Sequence, residues 1–155
     1  VKETFKYIIR TRELFIALLD TLSIEQINEI PQGFRNNVGW NFGHIVVSTP
    51  GLCYLRTGVK YAPADVPFLA DYRKGSKPEK WIESAEIEAL KQYAFSWISQ
   101  IEEDLGNGVF AEMKPFATDT YGYEMTSIEE IVTCSLAHDN MHYGYALAQR
   151  RALKK

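Results

Sequence analysis

Apolar residues recur along this chain at helical spacing, not at the alternation of strands. Near the start, Phe5, Ile8, Ile9, Phe15, Ile16 and Leu19 fall three and four apart with Arg12 inside the stripe, which predicts one long helix. Ser23 with Gln26 reads as a capping box for a short helix over 24–30, ended by Pro31 and Gly33. A second long helix is expected to begin after Asn36 or Asn37, both good N-caps, and to carry Trp40, His44, Val47, Gly51, Tyr54 and Leu55 on one face. Pro50 interrupts that pattern; it lacks a backbone donor and is expected to kink the helix one turn past His44. Thr57-Gly58 ends it.

Residues 59–80 hold three prolines, a glycine and many polar groups and read as a long connection. A third helix follows, with Ile87, Leu90, Ala94, Trp97, Ile98, Ile101 and Leu105 as its stripe and Gly106-Asn107-Gly108 as its stop. Residues 109–125 are irregular and aromatic, with short extended pieces expected around Tyr121 and Tyr123. The last helix has the clearest start, a capping box of Ser127 and Glu130. Ile128, Ile131, Val132, Ser135, His138, His142, Tyr145 and Gln149 follow one face, and Arg150, Arg151, Lys154 and Lys155 crowd its end, where positive charge suits the helix dipole. Four long helices with one long crossover connection predict an all-α four-helix bundle, read as a single domain over 1–155.

Composition narrows the function classes. Hydrophobic residues make up 46% and charged residues 24% of 155, the balance of an ordinary globular chain. The net charge of −3, with no basic stripe, argues against a nucleic-acid partner. No apolar stretch approaches the ~20 residues of a membrane span. No secretory segment is evident, and the two cysteines, Cys53 and Cys134, sit far apart in apolar helical contexts as free thiols, so a cytoplasmic location is expected.

The chemistry concentrates in three histidines: His44, His138 and His142. At ~100° per residue, the i, i+4 pair differs by only ~40° on its helix, so both imidazoles point the same way. His44 lies in its own helix's stripe, so all three are expected in one bundle interior. Buried imidazoles need partners, and a divalent metal supplies one to each. Neutral histidine suits zinc, nickel, copper or iron(II), and three protein ligands leave room for water or substrate, as catalytic sites do. The competing reading is three hydrogen-bonded core histidines. The run His138-Asp139-Asn140-Met141-His142 is similar to a zinc-peptidase H-E-x-x-H motif, but no His, Asp or Glu follows His142 to complete such a site.

Arg12 is expected to run its stem along the apolar stripe and place its guanidinium at the surface. Asp139 reads either as a group supporting the metal ligands or as a solvent-facing or salt-bridging acid. Cys134, one turn before His138, reads as a small buried hydrophobe, with a fourth-ligand role as the alternative. Cys53 faces away from His44. The tyrosines Tyr54, Tyr121, Tyr123, Tyr143 and Tyr145 read as packing residues, one or two of which could line a pocket.

The segment N-V-G-W-N-F-G-H-I, followed by a tyrosine and T-G, resembles the second helix of the DinB/YfiT-like metal-binding proteins. The ending T-Y-G-Y-E-M-T-S-I-E-E-I, then H-D-N-M-H-Y-G-Y-A-L-A-Q-R-R, resembles that family's close. The resemblance extends over most of the chain and is specific in these two motifs. It implies a four-helix bundle with a nickel or zinc site on His44, His138 and His142, and frequently a homodimer. Activities proposed for the family include metal-dependent hydrolysis and thiol-dependent transfer or isomerisation with a low-molecular-weight thiol. Two positions depart from its pattern: Asp139 stands where glutamate is frequent, and Tyr145-Ala146 follows Gly144 where G-Q-I is frequent. The leading expectation is therefore a metal-dependent hydrolase or thiol-dependent transferase acting on a small molecule. The alternatives are a non-catalytic metal-binding or stress-related interaction protein and, more weakly, a metal-free dimeric bundle.

Overall fold

The computed structural model describes residues 1–153, so Lys154 and Lys155 lie outside the described residues. Four long helices form the bundle: α1 (Lys2–Asp20), α3 (Val38–Pro50), α5 (Ser84–Gly106) and α6 (Ile128–Ala152). Two short helices, α2 (Ile24–Asn28) and α4 (Leu69–Tyr72), lie in the connections. The all-α expectation holds, and the closest packing is α1 on α6, α3 on α6 and α3 on α5. No helix among the described residues is long and apolar enough to cross a membrane.

The predicted caps form. Ser23 and Gln26 close both bonds of a capping box, as do Ser127 and Glu130. α2 stops at Asn28, short of the expected residue 30, because Glu29 is already extended. Asn28 is instead tied to the chain before α5: its amide donates to Ile82 O and its oxygen accepts from Ile82 N–H, at 2.9 and 2.7 Å. Of the two candidate caps for α3, Asn37 takes the role, accepting from Trp40 N–H at 2.7 Å.

α3 is buried on nearly every side rather than on one face. Its glycines make that possible. A Cβ on Gly43 would stand 2.4 Å from the Tyr72 ring, so only glycine lets α4 lie against α3 at this point. Past Pro50 the expected kink is a π-helical turn, Gly51–Leu55, with Arg56 N–H bonded back to Gly51 O at 3.0 Å. Proline cannot supply its bond to the ladder, and the turn immediately after it widens to a five-residue step.

Residues 56–83 cross the bundle through a 3-10 turn, Pro63–Asp65, and α4. Short extended pieces do appear, as β1 (Phe116–Ala117) and β2 (Glu124–Met125), on either side of Tyr121 and Tyr123 and not at them. Phe116 and Met125 are opposite one another and buried, so they hold the pair, while the two tyrosines ride exposed on the turn between, where Gly122 takes a positive φ of 68°.

The stripe on α6 also differs from expectation. Its buried residues are Ile128, Ile131, Val132, Ser135, Asp139, Ala146 and Gln149. At ~100° per residue that stripe spans ~100°, from Ile131 and Gln149 to Val132; His142 falls inside it, and His138 and Tyr145 fall just beyond its edge. Tyr145 is accordingly exposed, edge-on to Phe34 at 5.2 Å.

Arg12 corrects the surface reading outright. It is fully buried, because every part of its guanidinium finds a partner. Nε donates to Asp139 Oδ2 at 2.9 Å, Nη1 to Ala94 O at 2.5 Å, and Nη2 to Thr49 Oγ1 at 2.6 Å. One side chain on α1 thus bonds to α3, α5 and α6. Asp139 takes the salt-bridging role, buried rather than facing solvent.

Candidate metal centre

α3 brings His44, and α6 brings His138 and His142, to one place. Ligand atoms of the three lie within 4.8 Å of one another, close enough to hold one metal ion. Ring centroids are 4.5 to 5.0 Å apart. His44 is buried, and the pair on α6 is half-buried.

Outer hydrogen bonds fix two of the rings. His44 Nδ1 lies 2.6 Å from Tyr72 O; a carbonyl only accepts, so Nδ1 carries the proton and Nε2 keeps its lone pair. The Gly43 cradle seats Tyr72 for this bond, and Trp40 stacks on the His44 ring at 4.7 Å between centroids. His142 Nδ1 lies 2.8 Å from Asn41 Oδ1. The amide nitrogen of Asn41 donates to Asn36 Oδ1 and Gln149 Oε1, at 2.8 and 3.0 Å, so its oxygen is the end facing His142. Gln149 Nε2 returns to Asn36 O at 2.7 Å and closes the network. His142 therefore also offers a free Nε2.

The third ring differs. His138 Nε2 stands 3.2 Å from His44 Nε2, while its Nδ1 has no hydrogen-bond partner and lies 3.9 Å from Asp139 Oδ1, itself unpartnered. Ser135 Oγ nearby is unpartnered too. Zinc bonds of ~2.0–2.1 Å in a tetrahedral site set neighbouring nitrogens ~3.3 Å apart, close to this Nε2 spacing. The donor chemistry, the protonated outer nitrogens and the spacing all fit a divalent ion.

The electrostatics suit the same purpose. Burial, above all, holds His44 down to about 4, against the raising effect of its bond to Tyr72 O. Burial again, then the charges of His138 and His44, holds His142 down to about 3. Neutral imidazole is the form that binds metal.

His44 and His138 also line a cleft of about 310 Å³. Val47, Leu52 and Leu55 give it an apolar wall, and Arg56, Arg73 and Lys74 stand among its lining residues. Cys134 lines it one turn from His138 but does not join the three-histidine group; its thiol is half-buried, and burial pushes its pKa up. Cys53 is fully buried, raised to about 12 by burial, and both cysteines are free. Of the tyrosines, Tyr121 lines the cleft, Tyr54 is buried and donates to Asp104 Oδ2 at 2.7 Å, and Tyr143 packs on Phe15.

Sequence patterns brought the three histidines together correctly but missed the groups around them. The carbonyl of Tyr72 carries no sequence signal, because any residue has one. Asn41 and Gln149 did carry a signal: uncharged amides on inward faces, which burial obliges to pair.

Four long helices around a three-histidine cluster beside a cleft define a class of small helical proteins with a candidate metal centre. The chain belongs to the DinB superfamily, whose family model matches residues 7–146. No curated protein matches it.

Proposed function

We propose that this protein is a metal-dependent enzyme that holds a divalent ion, nickel or zinc, on His44, His138 and His142 and acts on a small molecule in the adjoining cleft. One observation carries the reading: two of the three histidines are also wall residues of a cavity large enough for a substrate. Ligands that border a cavity suit the catalytic arrangement, and a closed cage of four ligands suits the structural one. A divalent ion there would polarise a substrate oxygen or lower the pKa of a water or thiol beside it. The chain's own part is to hold the rings. Tyr72 O and Asn41 Oδ1 keep the outer protons on Nδ1 of His44 and His142, so Nε2 of each stays a donor to the ion. Apolar Val47, Leu52 and Leu55 exclude water from one side of the cleft.

Hydrolysis and thiol-dependent transfer are the two reaction classes proposed. Cys134 is a poor internal source of thiolate, since burial raises its pKa, so a thiol reaction would use a small external thiol. The test is elemental analysis of untagged protein, followed by turnover of small esters and amides, with and without added thiol, in metal-loaded and chelator-treated samples. Stoichiometric metal with metal-dependent turnover is expected. Protein that neither carries nor takes up metal would overturn the proposal.

A further inference from the structure

The charges around the cleft run against those of the chain. The whole sequence carries −3, yet the charged residues other than histidine that line the cleft are Arg56, Arg73, Lys74 and Asp119, which sum to +2. Lys74 pairs with Asp119, whose carboxylate Arg56 also stabilises, so the lining keeps a surplus of two positive charges. Arg56 is held in place: Nη2 donates to Ala117 O at 3.0 Å, and the guanidinium lies over the Phe116 ring at 4.6 Å. Its other donors are not used by that bond. Arg73 follows α4, is exposed, and forms no ion pair among the described residues. The rest of the lining includes the apolar residues Val47, Leu52 and Leu55, with Leu69 and Met141.

We infer that the cleft takes a small amphipathic carboxylate, with its apolar body against Val47, Leu52 and Leu55 and its anionic group at Arg56 and Arg73. Guanidinium presents paired donors that match a carboxylate's two oxygens, and a fixed guanidinium loses less freedom on binding than a mobile one. A cavity of about 310 Å³ is at the small end of ligand sites, which fits a body of one ring or a short chain. The inference rests on the proposal that this cleft is the substrate side of the metal centre, but the arginine anchor does not need the ion.

The experiment uses 4-phenylbutyrate and its uncharged partner 4-phenylbutyramide, titrated calorimetrically into the full chain, once chelator-treated and once zinc-loaded. The carboxylate is expected to bind at least about tenfold more tightly than the amide in both forms. Arg73→Gln should narrow that preference several-fold, and the double variant Arg56→Gln/Arg73→Gln should remove it. Lys6→Gln/Arg10→Gln, which deletes the same amount of charge far from the cleft, should leave it intact. Among the described residues Arg73 touches no other side chain through a hydrogen bond, so its variant reports on binding even if the double variant unfolds. Equal binding of acid and amide, no binding of the acid, or a preference that survives the double variant would overturn the inference. A preference seen only with zinc would assign the carboxylate to the ion instead and would also overturn it. Failure to load zinc with the preference retained would sink the metal proposal alone.

Discussion

Arg12 Nε lies 2.9 Å from Asp139 Oδ2, and neither side chain is exposed to solvent at all. A buried ion pair of this kind contributes little over a well-packed apolar pair, yet removing one partner leaves an uncompensated charge in the core. Asp139→Asn should therefore cost about 3–5 kcal/mol in urea unfolding. The double variant Arg12→Met/Asp139→Leu should recover most of that loss. If the double variant falls as far as the sum of the singles, the pair is not acting as a charge pair.

His138→Ala should abolish stoichiometric metal binding, read by elemental analysis on protein purified without a histidine tag. His44→Ala and His142→Ala should do the same. Retained one-to-one binding in any of the three would remove that residue from the ligand set.

Asn41→Ala should weaken metal affinity by about 10–100-fold, as loss of the group orienting a histidine ligand does in other metal sites. Competition with a chromophoric chelator measures this directly. Unchanged affinity would mean that the His142 ring is held by packing alone.

Gly43→Ala drives a methyl into the Tyr72 ring, where a Cβ would sit at 2.4 Å. The clash should cost about 1–3 kcal/mol. It should also loosen the bond from His44 Nδ1 to Tyr72 O, so metal affinity should fall together with thermal stability.

The metal-free protein should be sensitive to mild acid. His44 and His142 are held down to about 4 and about 3 in the folded chain, and histidine in an unfolded chain titrates near 6.5. Between about 6.5 and 4 the unfolded state carries a proton on each ring that the folded state lacks. Stability therefore rises with pH through this window and is lost as pH falls through it, by up to ~1.4 kcal/mol per pH unit for each histidine. Above about 6.5 these two groups add no slope. Urea unfolding of His44→Gln/His142→Gln across the same range should show a flatter dependence than the parent.

The sequence made the bundle and the cluster legible for the same reason. Helical periodicity fixes which residues share a face, and His44, His138 and His142 fell on faces that had to meet. For Arg12 the pattern points to the surface because periodicity says nothing of a partner 127 residues away in the chain; the only clue is a cation at the centre of an apolar stripe with an acid one position from a histidine. On α6 polar residues blur the edge of the stripe, so the pattern takes in Tyr145, which lies just outside it and is exposed. Around Tyr121 and Tyr123 the aromatic character suggested strand, but the pairing is held by the buried Phe116 and Met125 on either side.

On α6 the residues that face the cleft and those that are buried are different ones, which separates two demands that often compete. Asp139, Val132 and Ala146 are buried and carry the fold, while the cleft wall, buried Val47 apart, is drawn from half-buried Cys134, Leu52 and Leu55 and exposed Met141. Exchanging such wall residues reshapes the cavity without opening a hole in the core, so each change draws little on the chain's stability margin. A scaffold arranged this way can change the shape of its cleft while the three-histidine cluster stays fixed.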